Sequence, residues 1–306
     1  MNVHDFALIT FTILAQMAVG SFVVLGVVHF FINRKSGAEE ADRMSDRALL
    51  AIGPVLVLGM IASLLHLGDP FRAYAAITNW DSSWLSREIL LGVTFATLGA
   101  VFALLQWRKI GSTAVRNILA IVTAVVGLVL VYAMSNVYLL PTQPAWNSWA
   151  TPVSFFTTTF LLGSLAMGAA FVANYAYVQS KDPGCADEQC VLLRAVMRWI
   201  AMASVVLLGV ELVILPLYLA SLATGTAAAA GTAALLIGTY NWALILRIAL
   251  VFIGAGIFSL FVYRSAMNPG EEKLLGTLAY TTFAIVLVAE VLGRFLFYAT
   301  HIRIGI

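Results

Sequence analysis

The stretch from Phe6 to Ile32, FALITFTILAQMAVGSFVVLGVVHFFI, decides the fold class. It contains no Asp, Glu, Lys or Arg. It exceeds the ~20 residues with which a helix crosses a ~30 Å hydrocarbon layer. Its apolar residues are continuous, whereas a membrane strand alternates apolar and polar over segments of about ten residues. The run is too long for the apolar core of a cleavable signal, and Met1–Asp5 supplies no basic flank before it. The first span is therefore expected to remain in the mature protein.

Seven further stretches read the same way. Spans are predicted at about 6–33, 48–68, 86–107, 116–139, 153–178, 196–220, 241–263 and 274–298. The overall composition agrees with them: of 306 residues, 61% are hydrophobic and only 10% charged, against about 25% charged in a soluble domain. Such a sequence cannot cover a water-facing surface with polar groups. That excludes a soluble enzyme, a disordered protein and a nucleic-acid binder, and a net charge of +2 points to no electrostatic partner. Thr151-Pro152 is a good helix start, with threonine at the cap and proline in the first turn. Pro54 and Pro216 predict kinks inside spans two and six. The Ala-, Gly- and Thr-rich stretch Ser221–Tyr240 reads as a loop outside the membrane with a short surface helix. A ninth span there is the competing reading, and it would reverse the topology of the last spans.

Charge gives the orientation. Twelve of the seventeen Lys and Arg fall in the odd-numbered loops: Arg34, Lys35, Arg43, Arg47, Arg108, Lys109, Arg116, Lys181, Arg194, Arg198, Arg264 and Lys273. Positive loops stay in the cytoplasm, so both termini are expected outside. Trp80, Trp84, Trp146, Trp149 and Trp242 then gather on the outer side, as an interfacial belt or as the rim of a ligand entrance.

Charges inside spans are expensive and mark structure or function. His66 ends span two, and Arg87 and Glu88 open span three. Glu211, Arg247, Glu290 and Arg294 lie in the outer halves of spans six, seven and eight, and His301 follows the last. The inner half is almost free of internal charge, which counts against a proton pump crossing the bilayer. Glu290 and Arg294, four residues apart in the favourable order, are expected to form a structural ion pair. Glu211 and Arg247 are expected to form a second, across spans six and seven. His66 and Glu88 differ, having no opposite charge placed to neutralise them on their own helices, and they sit at similar depth. Histidine titrates near neutrality, and a carboxylate out of water takes up a proton readily. The two together suit hydrogen bonding to a quinol hydroxyl and removal of its proton to the outside. The plain alternative is a helix-end histidine and an interfacial glutamate without a task.

The four histidines are His4, His29, His66 and His301, with no facing pair for a bis-histidine haem, so no haem is expected in this protein. Cys185 and Cys190 are two thiols in a polar loop without a neighbouring histidine, too few for an iron–sulfur cluster or a structural zinc site. They read as loop thiols on the reducing side, and no metal site is expected.

Five stretches carry a resemblance: Phe11–Gly20, Ile61–Tyr74, Ser86–Ile89, Trp149–Pro152 and Glu290–Tyr298. The most specific is His66-Leu-Gly-Asp-Pro-Phe-Arg-Ala73, followed by Ser86-Arg-Glu-Ile89. Over nearly its whole length the sequence resembles the membrane anchor subunits of dimethyl sulfoxide reductase. The resemblance implies two four-helix bundles side by side, residues 1–140 with the quinol site and 141–306 without it. It implies a bacterial inner-membrane protein that oxidises menaquinol near the periplasmic face. The electrons would pass to a four-cluster iron–sulfur subunit and on to a molybdopterin catalytic subunit. His66 and Glu88 match positions tied to quinol, and Arg72 matches a position that could steer the quinol or bind the partner. Two rivals stand beside this reading: a secondary transporter, for which Pro54 and Pro216 at corresponding places in the two halves would be the sign, and an anchor without a quinol site.

Overall fold

A computed structural model describes residues 3–65, 78–181 and 186–305. The described residues are helical, with no strand among them. Helix α1 runs over Val3–Ser36, α2 over Ala38–Leu65, α3 over Trp84–Arg108 and α4 over Thr113–Val137. They are followed by α5 (Ala150–Lys181), α6 (Ala186–Ala223) and a short α7 (Ala227–Ile237). The seventh span is composite: α8 (Asn241–Val251), a π-helical turn (Phe252–Phe258) and α9 (Ser259–Met267). Helix α10 (Glu272–Ala299) completes the fold. Eight helical segments are long and apolar enough to cross a membrane, as the hydropathy pattern predicts. An even number of crossings brings both ends of the chain to one end of the bundle, hereafter the terminal end.

One boundary differs usefully from expectation. Helix α2 begins at Ala38, well before the apolar stretch. Gly37, at φ 90°, reverses the chain in a conformation that suits glycine. Glu39 and Glu40 then sit in the first turn, where the helix dipole favours acids. This polar extension is held by other helices. Lys109 Nζ lies 2.8 Å from Asp42 and 2.7 Å from Asp46. Gln106 Nε2 donates to the same two carboxylates at 2.7 and 2.9 Å. His29 Nε2 lies 3.0 Å from Asp42, and Asn174 donates to the carbonyls of Arg43 and Met44. Hydropathy could not reveal the extension, because its side chains are satisfied by polar partners rather than by lipid. At Ser221–Tyr240 the expected short helix is present and the competing ninth span is not. Helix α7 has 11 residues, capped by Thr226, and that is too short to cross a membrane.

The axis of the molecule is the pair α1 and α5, the two most buried spans. Helix α1 packs against α2, α4, α5 and α10, and α5 against α1, α2, α4, α6 and α10. The crossing of α1 and α5 is set by two glycines in register. A Cβ built on Gly163 would lie 2.2 Å from the carbonyl carbon of Gly20, and one on Gly20 would lie 1.9 Å from the Thr159 oxygen. Membrane helices lack a hydrophobic drive toward one another, so close backbone approach at small residues supplies much of their association. Outward-facing residues of α4, such as Ile118, Ile121 and Val125, are exposed and apolar, as a lipid contact requires.

The π-helical turn follows the same logic. A Cβ on Gly254 would lie 2.6 Å from Val286 Cγ2 of α10, and one on Gly256 would lie 3.0 Å from Leu208 Cδ2 of α6. The one extra residue in the turn rotates α8 relative to α9. That rotation is part of what sets where Arg247, on α8, points.

Candidate functional site

Glu88 lies one turn into α3. Ser83 caps the helix, its Oγ accepting from the Ser86 amide at 3.4 Å. Arg87, the neighbour of Glu88, turns back to the preceding loop. Its Nε donates to Trp80 O at 2.9 Å and its Nη2 to Asp81 O at 2.6 Å, with the guanidinium 4.4 Å from the Trp84 ring centre. Successive helix residues are about 100° apart, so Glu88 faces elsewhere, into the protein, and is only 6% exposed. Its carboxyl makes no hydrogen bond or ion pair with another described residue. Tyr138 and Tyr298 lie within its electrostatic reach. Their hydroxyls bond to each other, joining the end of α4 to the end of α10. His66 and Arg72 lie outside the described residues, as does Cys185.

The tyrosine pair is covered by an aromatic cluster at the terminal end. Trp146 stacks on Phe297 at 5.2 Å and 10°, and its Nε1 donates to the Phe297 carbonyl at 2.8 Å. The His301 ring lies 4.4 Å from Trp146. Tyr138 meets Trp146 edge-on at 5.3 Å. Trp146 thus belongs to an internal plug, whereas Trp80, Trp149 and Trp242 are exposed and suit an interfacial belt. The segment after α10 is tied down as well, since the Ile304 amide donates to Thr142 O at 2.9 Å.

The four charges on spans six to eight are brought together: the expected Glu211–Arg247 pair forms, and Glu290 takes a different partner from the expected one. Arg247 Nη2 lies 3.4 Å from Glu211 Oε2 and 3.8 Å from Glu290 Oε1. Glu290 also accepts a hydrogen bond from Thr158 Oγ1 at 2.6 Å. The partner of Glu290 is therefore Arg247, not Arg294. Arg294 Nη2 donates to Gln16 Oε1 at 3.1 Å, and its guanidinium stacks 3.9 Å over the Phe155 ring. The i,i+4 spacing permits the Glu290–Arg294 pair, but the bundle offers each residue a better partner from another helix. Gln16 and Thr158 are polar residues of uncharged spans, and that is the one signal by which sequence reading could have found them. For Tyr138 and Tyr298 there was no signal, because their contact joins residues 160 positions apart.

Gly293 makes room for Arg247. A Cβ on Gly293 would lie 2.4 Å from Arg247 Nε and 2.9 Å from Cζ. Gly293→Ala is expected to push the guanidinium off its two carboxylates. The cost should be about 1–3 kcal/mol, the usual range for overpacking, read as a lower unfolding temperature of the purified protein in detergent.

Among the described residues, no group of three or more His, Cys, Asp or Glu side chains is placed to hold a metal ion. What the arrangement offers is a buried carboxyl within electrostatic reach of a hydrogen-bonded tyrosine pair, and a separate charge cluster of zero formal sum.

Comparison with known proteins adds an independent line. A family model described as DMSO reductase anchor subunit (DmsC) matches residues 1–300. The sequence is 30% identical to a component of the anaerobic dimethyl sulfoxide reductase of Escherichia coli (strain K12), over 99% of this protein and 96% of that one. It is also 30% identical to the component of the same name from Haemophilus influenzae, over 99% and 97%. A shorter match, 28% over 33% of this protein and 31% of the other, is to a component of the sulfite dehydrogenase of Allochromatium vinosum.

Proposed function

Because the chain belongs to the DmsC family of DMSO reductase anchor subunits, we propose that it is the menaquinol-oxidising membrane anchor of a molybdopterin-dependent reductase. It sits in the bacterial inner membrane with both termini in the periplasm. Its partners are a four-cluster iron–sulfur subunit and the molybdopterin catalytic subunit, and residues 1–140 carry the quinol site.

The observation that supports the site best is the Glu88 carboxyl, buried at the terminal end of α3 with no arginine or lysine partner among the described residues. A structural carboxylate in a membrane normally has a cation beside it, as Glu211 and Glu290 have Arg247 here. A carboxyl not held by a cation can bind and release a proton. Menaquinol enters from the bilayer and binds between α2 and α3. His66 accepts a hydrogen bond and one proton from a quinol hydroxyl. Glu88 takes or relays the second proton to the outside. Arg72 holds the quinol or the partner subunit. The two electrons leave one at a time for the nearest cluster of the iron–sulfur subunit. The cluster supplies only the electron acceptor, while binding and proton removal are the work of this protein's own residues.

The test is quinol oxidation by the assembled complex carrying Glu88→Gln or His66→Ala, together with binding of a fluorescent quinol-analogue inhibitor. Each substitution is expected to lower turnover by about 10²-fold or more, the range for loss of a general base, with the complex still assembled. Inhibitor binding should weaken in His66→Ala. Full turnover in Glu88→Gln would remove that residue from the proton path.

A further inference from the structure

A cavity of about 110 Å³ lies among α5, α6, α8 and α10, beneath α7. The Glu211–Arg247–Glu290 cluster and Arg294 form its polar wall. Its other walls are apolar, with Phe155, Phe297 and Leu215 prominent. Ser154, Ile214, Leu215 and Tyr218 line it and are themselves partly exposed, so it reaches the flank of the bundle between α5 and α6. It is separate from Glu88: the Phe155 side chain, with Arg294 stacked on it, stands between the cavity and the tyrosine pair.

Two features of the polar wall point to a ligand. Glu290 is only 2% exposed, and its Oε1, 3.8 Å from the guanidinium, makes no hydrogen bond. Arg247 Nε is likewise buried without an acceptor. A buried polar atom left unpaired costs about 1–3 kcal/mol, so an open acceptor and an open donor on one wall favour a molecule that pairs with both. The charges of Glu211, Glu290, Arg247 and Arg294 sum to zero, so the site selects no ion. A phosphate headgroup would have to displace a carboxylate. A neutral, flat ring with an O–H to give Glu290 and an oxygen to accept from Arg247 meets every wall, including the two phenylalanine faces.

We propose that this cavity is a second binding site for a quinol ring, in the half of the molecule that does not carry Glu88. The site rests on its own geometry, and it draws on the Glu88 reading only for the choice of probe.

The test is photolabelling of membranes that hold the full-length protein with its partners, using an azido-naphthoquinol kept reduced under anaerobic conditions and peptide mapping of the adducts. Adducts are expected on α6 near 211–218 and on α10 near 290–300, in addition to those on α3, and all should be competed by menaquinol. Leu215→Trp fills the mouth, and it should reduce the α6 and α10 adducts at least about tenfold while leaving α3 labelling unchanged. Leu215→Phe is the smaller plug if the tryptophan variant does not accumulate. Glu88→Gln should do the reverse, sparing the α10 adducts. Adducts confined to α3, or α10 adducts indifferent to both plugs, would overturn the second site and leave the first standing. Adducts on α10 with none on α3 would support the second site and count against the first. No competed adduct anywhere would overturn both.

Discussion

Gly163→Val is expected to leave almost no folded protein in the membrane. At the crossing of α1 and α5 the contact is backbone against backbone. The valine Cβ would sit 2.2 Å from the Gly20 carbonyl carbon and 2.6 Å from the Ser21 amide nitrogen. Neither atom can yield like the tip of a flexible side chain. The helices must part, and with them the packing of the two most buried spans. Overpacking of a tight core costs about 1–3 kcal/mol where side chains can adjust, so a collision with main chain at the central crossing should exceed that range. Total stabilities of about 5–15 kcal/mol leave little margin. The measurement is the amount of protein that runs as a single monodisperse species after mild solubilisation, beside a Gly26→Val control. A Cβ on Gly26 meets nothing within 4 Å, so that variant is expected to accumulate normally. Equal yields from the two would refute the crossing as described.

Arg247→Met is the second large effect. The methionine fills much of the same volume but leaves Glu211 and Glu290 inside the bundle without their cation. Removing one member of a buried charge group typically costs about 3–5 kcal/mol, because the charge left behind is uncompensated. The double substitution Arg247→Met with Glu290→Gln should recover part of that loss, since an amide can still bond to Thr158 without carrying charge. Unfolding temperatures of wild type, the two single variants and the double variant close the cycle and isolate the coupling between the two residues. Additive losses would show that Arg247 and Glu290 are not coupled.

Much of this was legible in the sequence. The eight spans follow from uninterrupted apolar runs, since hydropathy directly measures whether a segment can lie in lipid. Glu88, Glu211, Arg247, Glu290 and Arg294 could be singled out because each is an ionisable group where such groups are rare. The partnership of Glu290 was not legible: neighbours along one helix can be read from spacing, whereas Arg247 arrives from another helix and is admitted by a glycine at 293. The polar start of α2 was hidden for a related reason, because Gln106, Lys109 and Asn174 satisfy it from elsewhere in the sequence. The π-helical turn leaves no hydropathy trace at all, since shifting the register by one residue changes direction but not composition.

Helix α5 has the lowest mean hydropathy of the eight spans and the largest buried share, 78% of its apolar window. Thr157, Thr158, Thr159, Ser164 and Asn174 are all buried on it, against protein and not lipid. That has a consequence for biogenesis. The ribosome delivers α5 only after α1 to α4, and a translocon presents each span to lipid as it emerges. A helix with so many hydroxyls partitions weakly unless a protein surface is waiting for it. The surface is α1, the first span to be inserted, whose helical turn at Gly20–Ser21 stays uncovered until α5 docks. Maturation of this protein therefore turns on one delayed encounter between the first and fifth spans, and the newly made polypeptide is most exposed to membrane quality-control proteases during the interval between them.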